Sequence, residues 1–149
     1  RTNLDAAIAR IADTIDDFYP WHYTGVGEID PRPVTDRFSV HEVVKRGATT
    51  NVTRGHVSAF DLDGIELDYT TPRGTETITF NNLLEFTHRR PTRWDFSAGG
   101  DSGSLIIDEE TMRPYALLIG GGPDDDGIDR TLGHFIPEVL DRLGVSFVR

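Results

Sequence analysis

The chain has 149 residues, 37% of them hydrophobic, no cysteine, and a formal net charge of −10. That length suits one domain with a real core, and the missing cysteine rules out disulfides and thiolate metal sites. The acidity argues against nucleic acid or an anionic membrane as partner, and no apolar run approaches membrane-spanning length.

No N-terminal stretch reads as a signal peptide. Together with the missing cysteine, this gives the expectation of a cytoplasmic protein. The chain starts at Arg1 rather than methionine, so it is expected to be cut from a longer polypeptide. In chain order, Asn3 is a good N-cap, and Leu4, Ala7, Ile8, Ile11, Ala12, Ile15 and Phe18 fall on one face at helical spacing. This predicts a helix over Leu4–Asp17, ended by Tyr19-Pro20-Trp21. Residues 22–39 carry Gly25, Gly27, Pro31 and Pro33 and read as loop. Strands are expected over Phe38–Arg46, Arg54–Phe60, Ile65–Thr70 and Glu76–Phe86, with Asp63-Gly64 as a hairpin signal. His88–Asp95 is a basic loop, read as a solvated connection leading into the next turn.

Ala98-Gly99-Gly100-Asp101-Ser102-Gly103-Ser104 then runs straight into the apolar strand Leu105-Ile106-Ile107. Glycines tolerate positive φ and close backbone approach, so this is a sharp turn with a hydroxyl at its tip. The amides of Gly100 and Ser102 can converge beside that hydroxyl, as the donors of an oxyanion hole do. The plain alternative is a strand-connecting turn with no chemistry. Asp108–Arg113 is a charged hairpin, and Tyr115–Ile119 a strand ending in Gly120-Gly121-Gly122. Gly120–Asp129 is glycine-rich and acidic. It lacks EF-hand spacing and is taken as a surface loop rather than a calcium site. Arg130–Ile136 returns as a strand, Pro137 opens a helix, and Gly144 stops it. Strands with regular turn signals and helices only at the ends predict an all-β antiparallel barrel.

The serine turn, the hairpin and the glycine-ended strand together resemble the second barrel of chymotrypsin-fold serine proteases. Val44–Val57 is similar to the strand-loop-strand that opens this barrel in bacterial trypsin-like proteases, commonly Lys-x-Gly-x-Thr-Thr-Gly-x-Thr-x-Gly-x-Val. Asn51 stands here where glycine is usual, and asparagine also tolerates left-handed geometry. Phe135–Leu140 resembles the entry to the family's C-terminal helix. The resemblance covers residues 40 to 145 and implies a six-stranded antiparallel barrel over residues 22–149, with residues 1–21 as a helical interdomain connection.

It also implies a serine endopeptidase acting on polypeptides through an acyl-enzyme. Ser102 is then the nucleophile, Gly100 and Ser102 supply the oxyanion hole, and Asp101 is buried behind the turn. Phe96, six residues before the serine, would sit at the base of the specificity pocket and favour small or apolar side chains over Lys or Arg. Gly120 and Gly121 would form the pocket wall. No metal or cofactor is implied. A triad also needs a base and an orienting acid, which the family draws from its first barrel. His22, His41, His56, His88 and His134 do not match the pattern around that base and read as surface or core histidines. The expected partner is therefore an N-terminal half, upstream or on another chain, that brings histidine and aspartate. A non-catalytic barrel used for binding or assembly is the alternative.

Overall fold

The computed structural model describes residues 3–9, 21–90, 95–124 and 126–147. A short hairpin, β1 (His22–Tyr23) and β2 (Gly27–Glu28), leads into a 3₁₀ turn over Arg37–Ser39. Eight strands follow: β3 (Glu42–Gly47), β4 (Asn51–Leu62), β5 (Ile65–Thr71), β6 (Gly74–Phe80), β7 (Leu83–His88), β8 (Leu105–Asp108), β9 (Arg113–Pro123) and β10 (Asp129–Phe135). A helix, α1 (Ile136–Leu143), follows β10. Six strands form a closed barrel in the order β10-β7-β4-β3-β8-β9, and every pairing is antiparallel. β5 and β6 make a separate hairpin. The expected six-stranded all-β barrel is therefore present.

The barrel interior is packed by Val43, Leu84, Phe86, Ile106, Tyr115, Ala116 and Leu118 of the strands, with Phe96 and Phe135. Phe86, Tyr115 and Phe135 meet edge to face, with ring centroids 6.1 and 5.8 Å apart. The Tyr115 hydroxyl donates to Arg37 O at 2.6 Å, so the largest buried ring keeps a polar partner. The β5–β6 hairpin packs Leu67 and Ile78 against Phe80, Leu83, Ile119 and Leu132. Tyr23 and Val26 cover Val44 and Ile107 on the opposite side of β3.

Several boundaries differ from the sequence expectation for local reasons. Phe38 does not start a strand, because the Asp36 carboxylate accepts from Phe38 N and draws Arg37–Ser39 into a 3₁₀ turn. The strand expected over Glu76–Phe86 is two strands, broken where Asn82 adopts φ +62°. The glycine-rich stretch after Ile119 is not a long loop. β9 runs on to Pro123 and β10 begins at Asp129. The Asp124 carboxylate caps the tip by accepting from the N–H groups of Asp126 and Ile128. Asn51 does take the left-handed conformation, with φ +55°.

The N-terminal helix expected over Leu4–Asp17 is corrected in part. Residues 10–17 lie outside the described residues, and residues 3–9 form no helix. Their capping groups are used elsewhere. Asn3 Nδ2 donates to Thr79 O at 2.8 Å, Asp5 N donates to His134 Nε2 at 3.1 Å, and Tyr69 donates to the Asp5 carboxylate at 2.8 Å. The segment is thus tied along the hairpin and β10, as the competition between side-chain partners and helical bonding allows.

Candidate active site

The turn that carries Ser102 is fixed on both flanks. Asp101 N donates to Ala98 O, closing one bend, and Ser104 N donates to Asp101 O, closing the next, both at 3.0 Å. Gly103 N donates to Leu118 O, and Leu118 N donates to Ser104 O, so β9 clamps the turn's exit. Gly100 and Gly103 have φ +99° and +86°, a region that excludes most side chains. A methyl on Gly100 would also meet Thr49 Oγ1 at 2.7 Å.

Beneath the turn, Asp101 exposes no surface. Its carboxylate accepts from Thr49 N (2.8 Å), Thr50 N (3.2 Å), Ala98 N (3.1 Å), Thr50 Oγ1 (2.7 Å) and Lys45 Nζ (3.2 Å). Burial alone would raise this carboxyl, but the Thr50 hydroxyl and the surrounding N–H groups outweigh it and hold the group well below the ordinary carboxylate range. Lys45 is equally buried. It also donates to Thr50 Oγ1 at 2.5 Å and lies 5.4 Å from the Phe96 ring centre. Desolvation pulls its ammonium below the usual lysine value, against the opposing pull of Asp101. Gly47 makes this burial possible, since a Cβ there would sit 2.1 Å from Asp101 Oδ1.

Above the turn, Ser102 is exposed, and its Oγ donates to Ile119 O at 3.0 Å. The N–H groups of Gly100 and Ser102 meet no acceptor among the described residues. Among the described residues no histidine bonds Ser102. His134 accepts from Asp5 N, His56 bonds Thr87, and His88 Nδ1 accepts from Arg90 N. A cavity of about 280 Å³ opens beside Ser102, lined by Ser97, Gly120, Gly121, Asp95 and Asp129 among others.

Ser102, Gly120 and Gly121 are thus gathered at one cavity. Phe96 is not, and its expected place at the pocket base is corrected. Its side chain is fully buried in the barrel core, 6.1 Å from Phe86 and against Gly55, where a Cβ would touch the ring at 2.8 Å. The next residue, Ser97, faces the cavity instead and shares a hydrogen bond of 2.5 Å with Thr131 Oγ1. A larger depression of about 680 Å³ lies along β4 and the end of β7, at the basic loop. It does not reach Ser102, and its Arg54 and Arg89 are paired with Glu109 and Glu42.

No protein-family model matches the sequence, and no curated protein does. Solved structures do match. The Cellulomonas bogoriensis chymotrypsin superposes with a TM-score of 0.56 at 20% identity, covering 85% of this chain and 59% of that one. Thermobifida fusca protease A gives 0.55 at 20%, covering 85% and 58%. A glutamic-acid-specific serine protease gives 0.55 at 21%, covering 85% and 58%. The fold is that of chymotrypsin-like serine proteases. This chymotrypsin-type barrel spans under two thirds of the length of those proteins.

Two parts of the site escaped the sequence reading. Lys45 was legible in principle. It follows Val43 and precedes Gly47 on the inward face of β3, and a lysine in that row needs a buried anion. Asp129 was hidden by its placement in a presumed loop.

Proposed function

We propose that this barrel carries the nucleophile half of a serine endopeptidase. The observation that supports it is the turn itself: an exposed Ser102 flanked by two main-chain N–H groups that meet no acceptor among the described residues, above a carboxylate locked by five donors. In the reaction, Ser102 Oγ attacks the carbonyl carbon of a peptide bond while a base takes its proton. The carbonyl oxygen becomes an oxyanion and accepts from Gly100 N and Ser102 N. The C–N bond then breaks, the amine leaves with the proton from the base, and water hydrolyses the acyl-enzyme. Past Leu117, no strand among the described residues pairs β9 on the β8 side, so Gly120–Gly122 offer backbone groups to an extended peptide, in the manner of strand addition.

The base and its orienting acid come from an N-terminal barrel, upstream or on a partner chain. Without them, Ser102 is a weak nucleophile whose proton rests on Ile119 O. The test is labelling with a fluorophosphonate, with and without the upstream barrel. Modification at Ser102 that rises at least about a hundredfold on adding that barrel is expected, given the size of general-base contributions. No labelling in either case would favour a barrel retained for binding alone.

A further inference from the structure

The bend just before Ser102 can take two forms, and one bond from outside it selects between them. Asp101 N donates to Ala98 O at 3.0 Å, so residues 98–101 form a β-turn with Gly99 and Gly100 in the middle. Gly100 has φ +99° and Gly99 no positive φ. This is the type II form, whose third residue takes φ of about +80°. In the type I form that residue takes about −90°, and the peptide between the two central residues is turned over. The closing bond is common to both forms, so it does not choose between them. Nor does composition choose, because glycine takes either sign of φ about equally readily.

What the central peptide does bond is Thr49. The Thr49 hydroxyl donates to Gly99 O at 2.7 Å, the modal length for an O–H···O bond. Thr49 lies in the turn between β3 and β4, and its own N–H donates to the buried Asp101 Oδ1 at 2.8 Å. The hydroxyl is thus delivered from a fixed base. Its neighbour Thr50 is used differently, with its hydroxyl on the Asp101 carboxylate. In a trans peptide, C=O and N–H point in opposite directions. With Gly99 O turned to Thr49, Gly100 N–H faces away from it and meets no acceptor among the described residues. Turned over, the same peptide would present that N–H to Thr49 and withdraw it from a carbonyl bound at Ser102. We propose that Thr49 is a positioning residue, whose hydroxyl holds the Gly99–Gly100 peptide in the orientation that keeps Gly100 N–H available to an oxyanion. The use made of that N–H rests on the protease reading; the orientation itself does not.

The test begins without catalysis. Nuclear Overhauser effects in the chain report the turn: Gly99 Hα lies close to Gly100 N–H in type II, whereas in type I the two N–H groups approach each other. The native chain is expected to show the first pattern alone. Thr49 is exposed, so its variants leave the core intact. Thr49→Val keeps the shape and removes the donor, and Thr49→Ala removes it without a methyl against the carbonyl; both are expected to show the two patterns mixed. Thr49→Ser is expected to restore the first. With the upstream barrel added, the rate of fluorophosphonate labelling at saturating probe falls about two- to tenfold in Thr49→Val, the size of one net hydrogen bond. The half-saturating concentration stays unchanged, as for an interaction made only in the transition state, and Thr49→Ser labels close to the native rate. The native pattern in both Thr49→Val and Thr49→Ala overturns the proposal, and so does labelling of Thr49→Val at the native rate. If the native chain itself fails to label with the barrel present, the protease reading falls, and the Overhauser patterns still decide whether Thr49 sets the peptide.

Discussion

Two carboxylates flank Ser102, one under its turn and one in the cavity at its side, and the fold surrounds them in opposite ways. Asp101 is met by five donors, one of them a buried ammonium. Asp129 is met by none among the described residues, and by another acid. Accordingly Asp101 is pushed below the ordinary carboxylate range, while burial and Asp95 push Asp129 up to about 6. The first arrangement is what a turn needs to hold its shape without help. The second has one buried oxygen with no donor among the described residues.

The sharpest way to break this contrast is to strip Asp101. Asp101→Ala leaves Lys45 buried and unpaired, a situation that typically costs about 3–5 kcal/mol. Lys45→Met is expected to cost less, about 1–3 kcal/mol, because the carboxylate keeps its hydroxyl and three N–H donors. The double variant Asp101→Ala with Lys45→Met should therefore lose less than the sum of the singles in urea denaturation. If the two single losses simply add, the pair is not coupled. Acid makes the same point without mutation. A carboxyl lowered on folding contributes stability above its unfolded value of about 4 and loses it as pH falls further. Denaturation midpoints of the native chain should drop below pH 4 more steeply than those of Asp101→Asn.

The next effect in size concerns the space that makes burial of Asp101 possible. Gly47→Ala puts a methyl 2.1 Å from an oxygen that is anchored from several sides and cannot retreat. A loss of about 1–3 kcal/mol follows from overpacking of this kind. Gly103→Ala meets no atom within 4 Å but carries φ +86°, so its cost is conformational, about 1 kcal/mol. Gly99→Ala, with open space and no positive φ, should be close to neutral. Thermal melts of the three rank them, and an equal loss at Gly99 would show that backbone form matters less here than composition.

This ranking also shows how far the sequence could be read. The serine turn and the hairpin after it are written in short-range chemistry: glycines at forced φ, and continuous apolar runs in Leu105–Ile107 and Tyr115–Ile119. Local rules suffice there, and the barrel follows from them. The partner of Asp101 lies 56 residues away, and no local pattern announces a contact of that separation. Phe96 was misplaced for a related reason. Counting back from Ser102 locates a residue along the chain, but not which side of it faces the core, and Ser97 rather than Phe96 proved to face the cavity. Asn3 was read as a helix cap from propensity alone, whereas its amide is taken by Thr79 of the hairpin. Asp129 looked like one acid among several in a mobile tip, yet the glycines before it are paired in β9 and it opens β10.

The smallest effect runs the other way and bears on Asp129 itself. Its folded value, about 6, lies above the unfolded one of 3.8, so the folded state holds the proton more tightly. The sign then follows from linkage. Below pH 4 the group is protonated in both states and costs nothing extra. As pH rises from 4 through 6, the folded chain must release the proton into an unpaired site, and stability falls. Asp129→Asn keeps the shape and removes the charge, so it should match the native chain below pH 4 and melt a few degrees higher above pH 6, on the order of a 1 kcal/mol effect at this chain length. If Asp129→Asn is less stable at pH 8, the carboxylate has a donor after all, and the rise in stability on acidification has another source.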